Sequence, residues 1–213
     1  MQNKIVLAPV GDNMDALYVG LRDFPVSRVI LLASDDQVKE AKKASKELEK
    51  FSIPVKIVSI KGNLWEGIFE KVSKISEEEK GNEIIINTSS GDRNSQCAMT
   101  SAAFVNGLKA FAVMGGETML LPILKFSYYK TLTEKKLDIL RVLFEDKTCC
   151  KSLEELSKKI KMSPPLVSYH INGTLKSEGL KTLGLIDVTE KNGKIALGIS
   201  TMGRLLMKGY IQS

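Results

Sequence analysis

Five short aliphatic runs alternate with helical patterns over the first 125 residues, and this alternation restricts the fold more than any other feature of the chain. The runs are Ile5-Val6-Leu7-Ala8, Arg28 to Leu32, Val55 to Ile60, Glu83-Ile84-Ile85-Ile86 and Ala110-Phe111-Ala112-Val113. Each is β-branched or aliphatic almost throughout, as a strand buried on both faces must be. Between them lie helical patterns at Met14 to Leu21, Asp36 to Phe51, Leu64 to Ile75 and Asn94 to Gly107. Repeated β-then-α order predicts an α/β fold: a Rossmann-like, mostly parallel sheet with helices on both faces. Thr118 to Leu124 reads as a last edge strand, where Pro122 is tolerated. Ser34-Asp35-Asp36 supplies a start for the second helix, and Ser52-Ile53-Pro54 its stop.

After Lys125 the alternation ends. A helix is predicted from Leu132-Thr133-Glu134 through Phe144, a second over Ser152 to Ile160, and a third from Ser163-Pro164-Pro165 to Gly179-Leu180. Leu166, Val167, Ile171 and Leu175 are expected in its core face. Two strand-like runs, from Leu185 and from Lys194, then flank an Asn192-Gly193 hairpin turn, and Thr201 to Met207 reads as a closing helix. Three helices and a hairpin are the order of a winged helix-turn-helix. The expected division is therefore residues 1–125, a sensor, and 126–213, a smaller winged helix-turn-helix domain.

Charge separates the same two segments. Residues 1–125 hold 16 Lys/Arg and 16 Asp/Glu, so of 31 and 25 in the whole chain the last 88 residues hold 15 and 9, and the net charge of +6 lies entirely there. A neutral segment joined to a basic one suits a sensor joined to a nucleic-acid module. In such a module the third helix presents its N-terminal residues to the major groove of double-stranded DNA. Ser163, Ser168, Tyr169, His170, Asn172 and Lys176 are the residues expected there, with Lys191 and Lys194 of the hairpin on a neighbouring groove or on phosphates. No apolar run is long enough to span a bilayer and the N-terminus enters a strand directly, so no membrane partner is expected and the cytoplasm is the expected location. Three cysteines and one histidine without metal-ligand spacing predict reduced thiols, no metal site and no cofactor.

Two polar loops follow strands at what would be one rim of the sheet: Pro9-Val10-Gly11-Asp12-Asn13 and Asn87-Thr88-Ser89-Ser90-Gly91-Asp92-Arg93. In an open α/β sheet ligands bind outside the carboxyl ends of the strands. A third small-residue loop, Met114-Gly115-Gly116-Glu117-Thr118, belongs to the same rim. Its glycines permit either a ligand's approach or a plain turn. Neither a dinucleotide fingerprint nor a P-loop is present. In the second polar loop, Ser89 or Asp92 capping the next helix is the alternative to a ligand site.

The segment from Met162 to Ile171, with Leu175-Lys176-Ser177-Glu178-Gly179-Leu180 and Ser200-Thr201-Met202-Gly203-Arg204, resembles the winged helix-turn-helix of MarR and ArsR regulators over about 80 residues. A longer Lys181 to Leu185 link departs from their pattern. Asn87 to Arg93 resembles, without gaps, the Asn-x-Thr-Gly-Gly-Thr-Lys loop of CRISPR-associated Rossmann-fold (CARF) regulators. Ser90 stands for a glycine, Asp92 for a threonine and Arg93 for the lysine. That resemblance implies a homodimer that binds a cyclic oligoadenylate, usually the tetra-adenylate, between two sensors. Gly11, Asp12, Asn13, Thr88, Ser89, Ser90, Gly91, Arg93, Gly115 and Gly116 would line the site. A ligand-responsive transcription regulator in CRISPR-linked antiviral defence, with no catalytic residue, is the resulting expectation. The competing readings are a ring nuclease using Ser89 and Arg93, and a regulator of a different small anionic effector.

Overall fold

The structure, a computed structural model, describes residues 3–122, 132–146, 150, 152–174, 177–191 and 194–209. They fall into two compact units. In the first, the elements are β1 (Lys4–Pro9), α1 (Asp15–Asp23), β2 (Arg28–Ser34), α2 (Val38–Glu49), β3 (Val55–Ile60), α3 (Leu64–Glu78), β4 (Glu83–Asn87), α4 (Arg93–Asn106), β5 (Lys109–Met114) and β6 (Glu117–Leu120). The strands form one six-stranded sheet in the order β3-β2-β1-β4-β5-β6. All pairs are parallel except β5 with β6. This is the mostly parallel α/β sheet that the alternation predicts.

The central strands are buried from end to end: Ile5 to Ala8, Val29 to Ala33 and Ile84 to Ile86 are each at most 6% exposed. On one face Val6, Ala8, Val10, Val29, Leu31, Ala33 and Phe111 pack against Leu17 of α1 and Ala41, Ala44 and Leu48 of α2. Pleating sends Ile5, Leu7, Ile30 and Leu32 to the opposite face. Order reverses between β1 and β4, since the chain leaves β1 toward β2 and β3 and returns to pair β4 on β1's other side. Such a reversal opens a crevice at the carboxyl ends of the two strands.

Boundaries differ from the sequence reading in places. The second helix is preceded by a 3-10 turn, Asp35–Gln37, because Ser34 and Gln37 form a reciprocal capping box. It ends where Ser52 takes a left-handed φ of 58°. The last strand, β6, is four residues long and stops before Pro122, while Ile123 and Leu124 lie outside the described residues.

The second unit contains α5 (Glu134–Glu145), α6 (Leu153–Lys159), α7 (Pro164–Asn172), the two-residue strands β7 (Gly173–Thr174) and β8 (Ser177–Glu178), the hairpin β9 (Ile186–Lys191) and β10 (Lys194–Ile199), and α8 (Thr201–Gly209). Side-chain caps start the helices: Thr133 Oγ1 accepts from Lys136 N–H, and Ser152 Oγ from Glu155 N–H. Ser200 Oγ accepts from Gly203 N–H at 2.9 Å and donates to the Gly184 carbonyl at 2.7 Å, fixing the start of α8.

The third helix is shorter than predicted. It ends at Asn172 because Gly173 takes a φ of 76°, and a Cβ there would lie 2.3 Å from Gly179 N. The chain instead turns back through β7 and β8, which pair antiparallel. Leu175 and Lys176 lie outside the described residues. Val167 and Ile171 are buried as predicted, but Leu166 is 40% exposed and is not core. The thiol expectation also fails in one place: Cys97 is free and exposed, whereas Cys150 is disulfide-bonded.

Candidate functional site

The rim loops of the first unit are built by close backbone contact. A Cβ on Gly11 would lie 2.7 Å from Asp92 N and 3.0 Å from Gly91 Cα, and one on Gly91 would meet Ser95 Cβ at 2.7 Å and Pro9 Cγ at 2.9 Å. Only glycine at both positions lets the β1–α1 loop rest on the β4–α4 loop. Hydrogen bonds complete the joint: Asn13 Nδ2 donates to the Ser89 carbonyl at 3.0 Å, and Asn13 N–H to the Ser90 carbonyl at 3.3 Å.

The hydroxyl residues that the sequence places on a ligand are turned inward. Thr88 Oγ1 donates to the Phe111 carbonyl at 3.0 Å, and Ser90 Oγ to the Pro9 carbonyl at 2.8 Å. Ser89 Oγ accepts from Val113 N–H at 2.9 Å, which ties the loop to β5. All three residues are buried, Ser90 completely. Buried hydroxyls need partners, and these find them in neighbouring strand ends. The side chains of Thr88, Ser89 and Ser90 are thus engaged with neighbouring strand ends, where the resemblance would have Ser89 and Ser90 hold phosphate or ribose.

Two further residues outside the expected ligand set shape the loop. Asn87 is fully buried, accepts from Ser89 N–H at 2.7 Å and donates to the Ala16 carbonyl at 3.1 Å. Gln96 Nε2 donates to the carbonyls of Gly91 at 2.6 Å and Ser89 at 3.2 Å. The position of Gln96 one turn into α4 is the only sequence signal for that staple.

What faces outward is a smaller set. Asp12, Asn13 and Arg93 are exposed, with Arg93 opening α4. The N–H groups of Arg93 and Asn94 belong to the first helical turn and have no intrahelical acceptor, so this end of α4 carries partial positive charge. Asp92 Oδ1 accepts the next one, Ser95 N–H, at 2.7 Å, so the capping alternative holds for Asp92. A rim with free helix N-terminal N–H groups and the Arg93 guanidinium beside them can hold an anionic group, in competition with Asp12 and Asp92.

Gly115 and Gly116 form the third rim loop. With φ of 59° and 82° they form the two-residue turn joining β5 to β6, and a Cβ on either would meet nothing within 4 Å. The turn by itself needs positive φ at both positions, which glycine adopts without strain.

In the second unit, α7 presents Ser163, Pro164, Pro165, Leu166, Tyr169 and Asn172 to solvent, with Ser168 half-buried. His170 is corrected: it is 8% exposed and packs its ring edge-on against Tyr169 at 5.1 Å between centroids, so it belongs under the helix. Burial first, then the nearby charges of Lys136 and Lys135, hold its pKa below the usual histidine value. Lys136 is itself 4% exposed and donates to the Glu178 carbonyl at 2.6 Å. Lys191 and Lys194 are paired in the last register of the hairpin, and Asn192 and Gly193 lie outside the described residues. Lys158 at the end of α6 and Lys161 within the α6–α7 turn are exposed basic positions absent from the expected DNA-contact set. Among the described residues no group of three or more His, Cys, Asp or Glu could hold a metal ion, and no helix is long and apolar enough to cross a membrane.

Residues 4–117 match the family model described as HFX_2341_N-like, N-terminal, which spans β1 to β5 and the first two rim loops. The chain belongs to this family. No match was found among curated proteins. Solved structures similar to this HFX_2341_N-like chain include Csm6 of Enterococcus italicus bound to cyclic hexa-2'-fluoro-hexa-dAMP, at 15% identity and TM-score 0.49, covering 79% of this chain and 55% of that one. A type III CRISPR defence DNA nuclease activated by cyclic oligoadenylate matches at 18% and 0.48, over 56% of this chain and 20% of that one. Can2 from Sulfobacillus thermosulfidooxidans, in complex with cyclic tetra-adenylate, matches at 11% and 0.46, over 77% and 61%. The chain thus spans between a fifth and about three fifths of these three structures, and its chemistry rests on its own residues.

Proposed function

We propose that the chain is a ligand-responsive DNA-binding transcription regulator of the CARF type, acting as a homodimer. Its first unit binds a cyclic oligoadenylate, with the tetra-adenylate as the first choice, and its second unit is a winged helix-turn-helix that holds double-stranded DNA. The observation that carries the sensor half is the reversal of strand order at β1/β4, where two loops meet in backbone contact beside the N-terminus of α4 with Arg93. Phosphate is met by backbone N–H groups and by the Arg93 guanidinium, a planar fork suited to phosphate oxygens. The inward hydroxyl of Ser89 favours binding over cleavage, since a group committed to Val113 N–H is poorly placed to activate a ribose hydroxyl. DNA binding is supported by the basic excess beyond residue 125 and by the exposed face of α7 just beyond Lys158 and Lys161.

The test is a thermal-shift titration with cyclic tetra-adenylate on the wild type and Arg93→Ala. The wild-type midpoint should rise and saturate, and the variant should bind roughly 10- to 100-fold more weakly, as expected when a charged hydrogen-bond donor is lost. A wild type that does not respond would sink the cyclic-oligoadenylate reading. Loss of the ligand during incubation would favour the ring-nuclease reading instead.

A further inference from the structure

The exposed face of α7 has an uncommon composition for a helix that meets DNA. From Pro164 to Asn172 it contains no lysine or arginine, and its one basic residue, His170, is buried. Guanine is read most often by Arg or Lys on its O6 and N7 acceptors, so α7 lacks the side chains for that contact. The amide of Asn172, at the far end, donates to both the carbonyl and the hydroxyl of Ser168 at 3.1 Å and is engaged with its own helix. What the first two turns offer a groove is mainly apolar: Pro165, Leu166 at 40% exposure and the ring of Tyr169, 41% exposed, with the phenol hydroxyl as its polar tip. Leu166 and Tyr169 are three residues apart and share one face. The Tyr169 ring is held in place by its edge contact with His170.

From this juxtaposition we propose that α7 reads thymine 5-methyl groups in the major groove, through Leu166 and Tyr169, and so selects A·T-rich duplex DNA. The inference rests on the DNA-binding reading above and adds its sequence class. Charge complementarity argues for a nucleic acid rather than another protein: the net positive charge lies in this part of the chain, and Lys158 at the end of α6 and Lys161 in the turn into α7 can meet phosphates. Phosphate contacts position the helix without reading sequence, which leaves discrimination to the apolar face. Thymine's methyl is the one apolar group that unmodified base pairs display in the major groove.

The test compares three duplexes of equal length and charge by fluorescence anisotropy with the full chain: alternating d(AT), alternating d(AU), which lacks the methyl groups, and alternating d(GC). Binding should be tightest to d(AT) and weaker by about fourfold for each methyl engaged on going to d(AU), the factor expected for one methyl-sized apolar group. Leu166→Ala, a change at an exposed position, should reduce the d(AT)/d(AU) ratio toward one, with circular dichroism confirming an intact fold. Lys161→Ala should weaken all three duplexes alike. Equal binding of d(AT) and d(AU), or a preference for d(GC), would overturn the methyl reading and leave DNA binding standing. Failure to bind any duplex at low salt would overturn both.

Discussion

The rim loops of the first unit and the outer face of α7 in the second differ in where their polar chemistry goes. In the rim, Thr88, Ser89 and Ser90 are buried and give their hydroxyls to Phe111, Val113 and Pro9. On α7 Leu166 and Tyr169 face outward while Asn172 bonds back to Ser168 of its own helix, and the histidine that looked like a contact lies underneath. A run of small hydroxyl residues after a strand therefore does not by itself make a ligand surface. When the loop packs against strand ends, unpaired backbone groups there must be satisfied, and short side-chain hydroxyls do so at close range. In the middle of a helix the backbone groups are already paired with one another, so an exposed face such as that of Leu166 and Tyr169 carries no such demand.

The comparison can be broken most forcefully at the loop joint. Gly11→Ala places a Cβ 2.7 Å from Asp92 N, and the neighbour in the way is backbone. A loss of about 3 kcal/mol in denaturant unfolding of the first unit is expected, at the upper end of ordinary overpacking costs. A loss under about 0.5 kcal/mol would mean that the loops do not touch as described.

Ser90→Ala tests whether the rim hydroxyls are structural. The side chain is fully buried and donates to the Pro9 carbonyl, so its removal should cost roughly 1–2 kcal/mol of stability, mostly from leaving that carbonyl without its donor. Ligand affinity, measured separately by calorimetry, should change little. A stable variant with lost affinity would return Ser90 to the ligand.

The smallest effect is expected from pH at His170. Burial and the lysines of α5 depress its folded pKa below the ordinary value near 6.5, so the unfolded chain takes up the proton first as pH falls. Its contribution is fully present above pH 6.5 and is lost as pH drops through the depressed folded value, with a slope of at most about 1.4 kcal/mol per pH unit. His170→Gln should flatten this part of the stability profile between pH 7 and 5. An unchanged profile would place the histidine in water rather than under α7.

Much of the fold is legible in the order of residues alone. Runs such as Ile84-Ile85-Ile86, apolar at every position, read as doubly covered strands, and repeated alternation with helices leaves the parallel sheet as the simplest arrangement. The rim position of the Gly11 and Gly91 loops follows from the same order. Less legible is the end of α7: helical periodicity continues to Leu180, but Gly173 at a φ of 76° breaks it to let Gly179 approach. Leu166 has the periodicity of a core residue and lies outside, because the second unit's core reaches only the Val167 and Ile171 side of the helix.

The sequence by itself determined the sheet, the order of its elements and the concentration of positive charge beyond residue 125, because each depends on local pattern or simple addition along the chain. Only the tertiary structure decided which polar groups are free. Which partners the hydroxyls of Ser89 and Ser90 take, and which glycines have no room for a Cβ, depends on what other segments bring within about 3 Å, the range at which hydrogen bonds form and a Cβ collides.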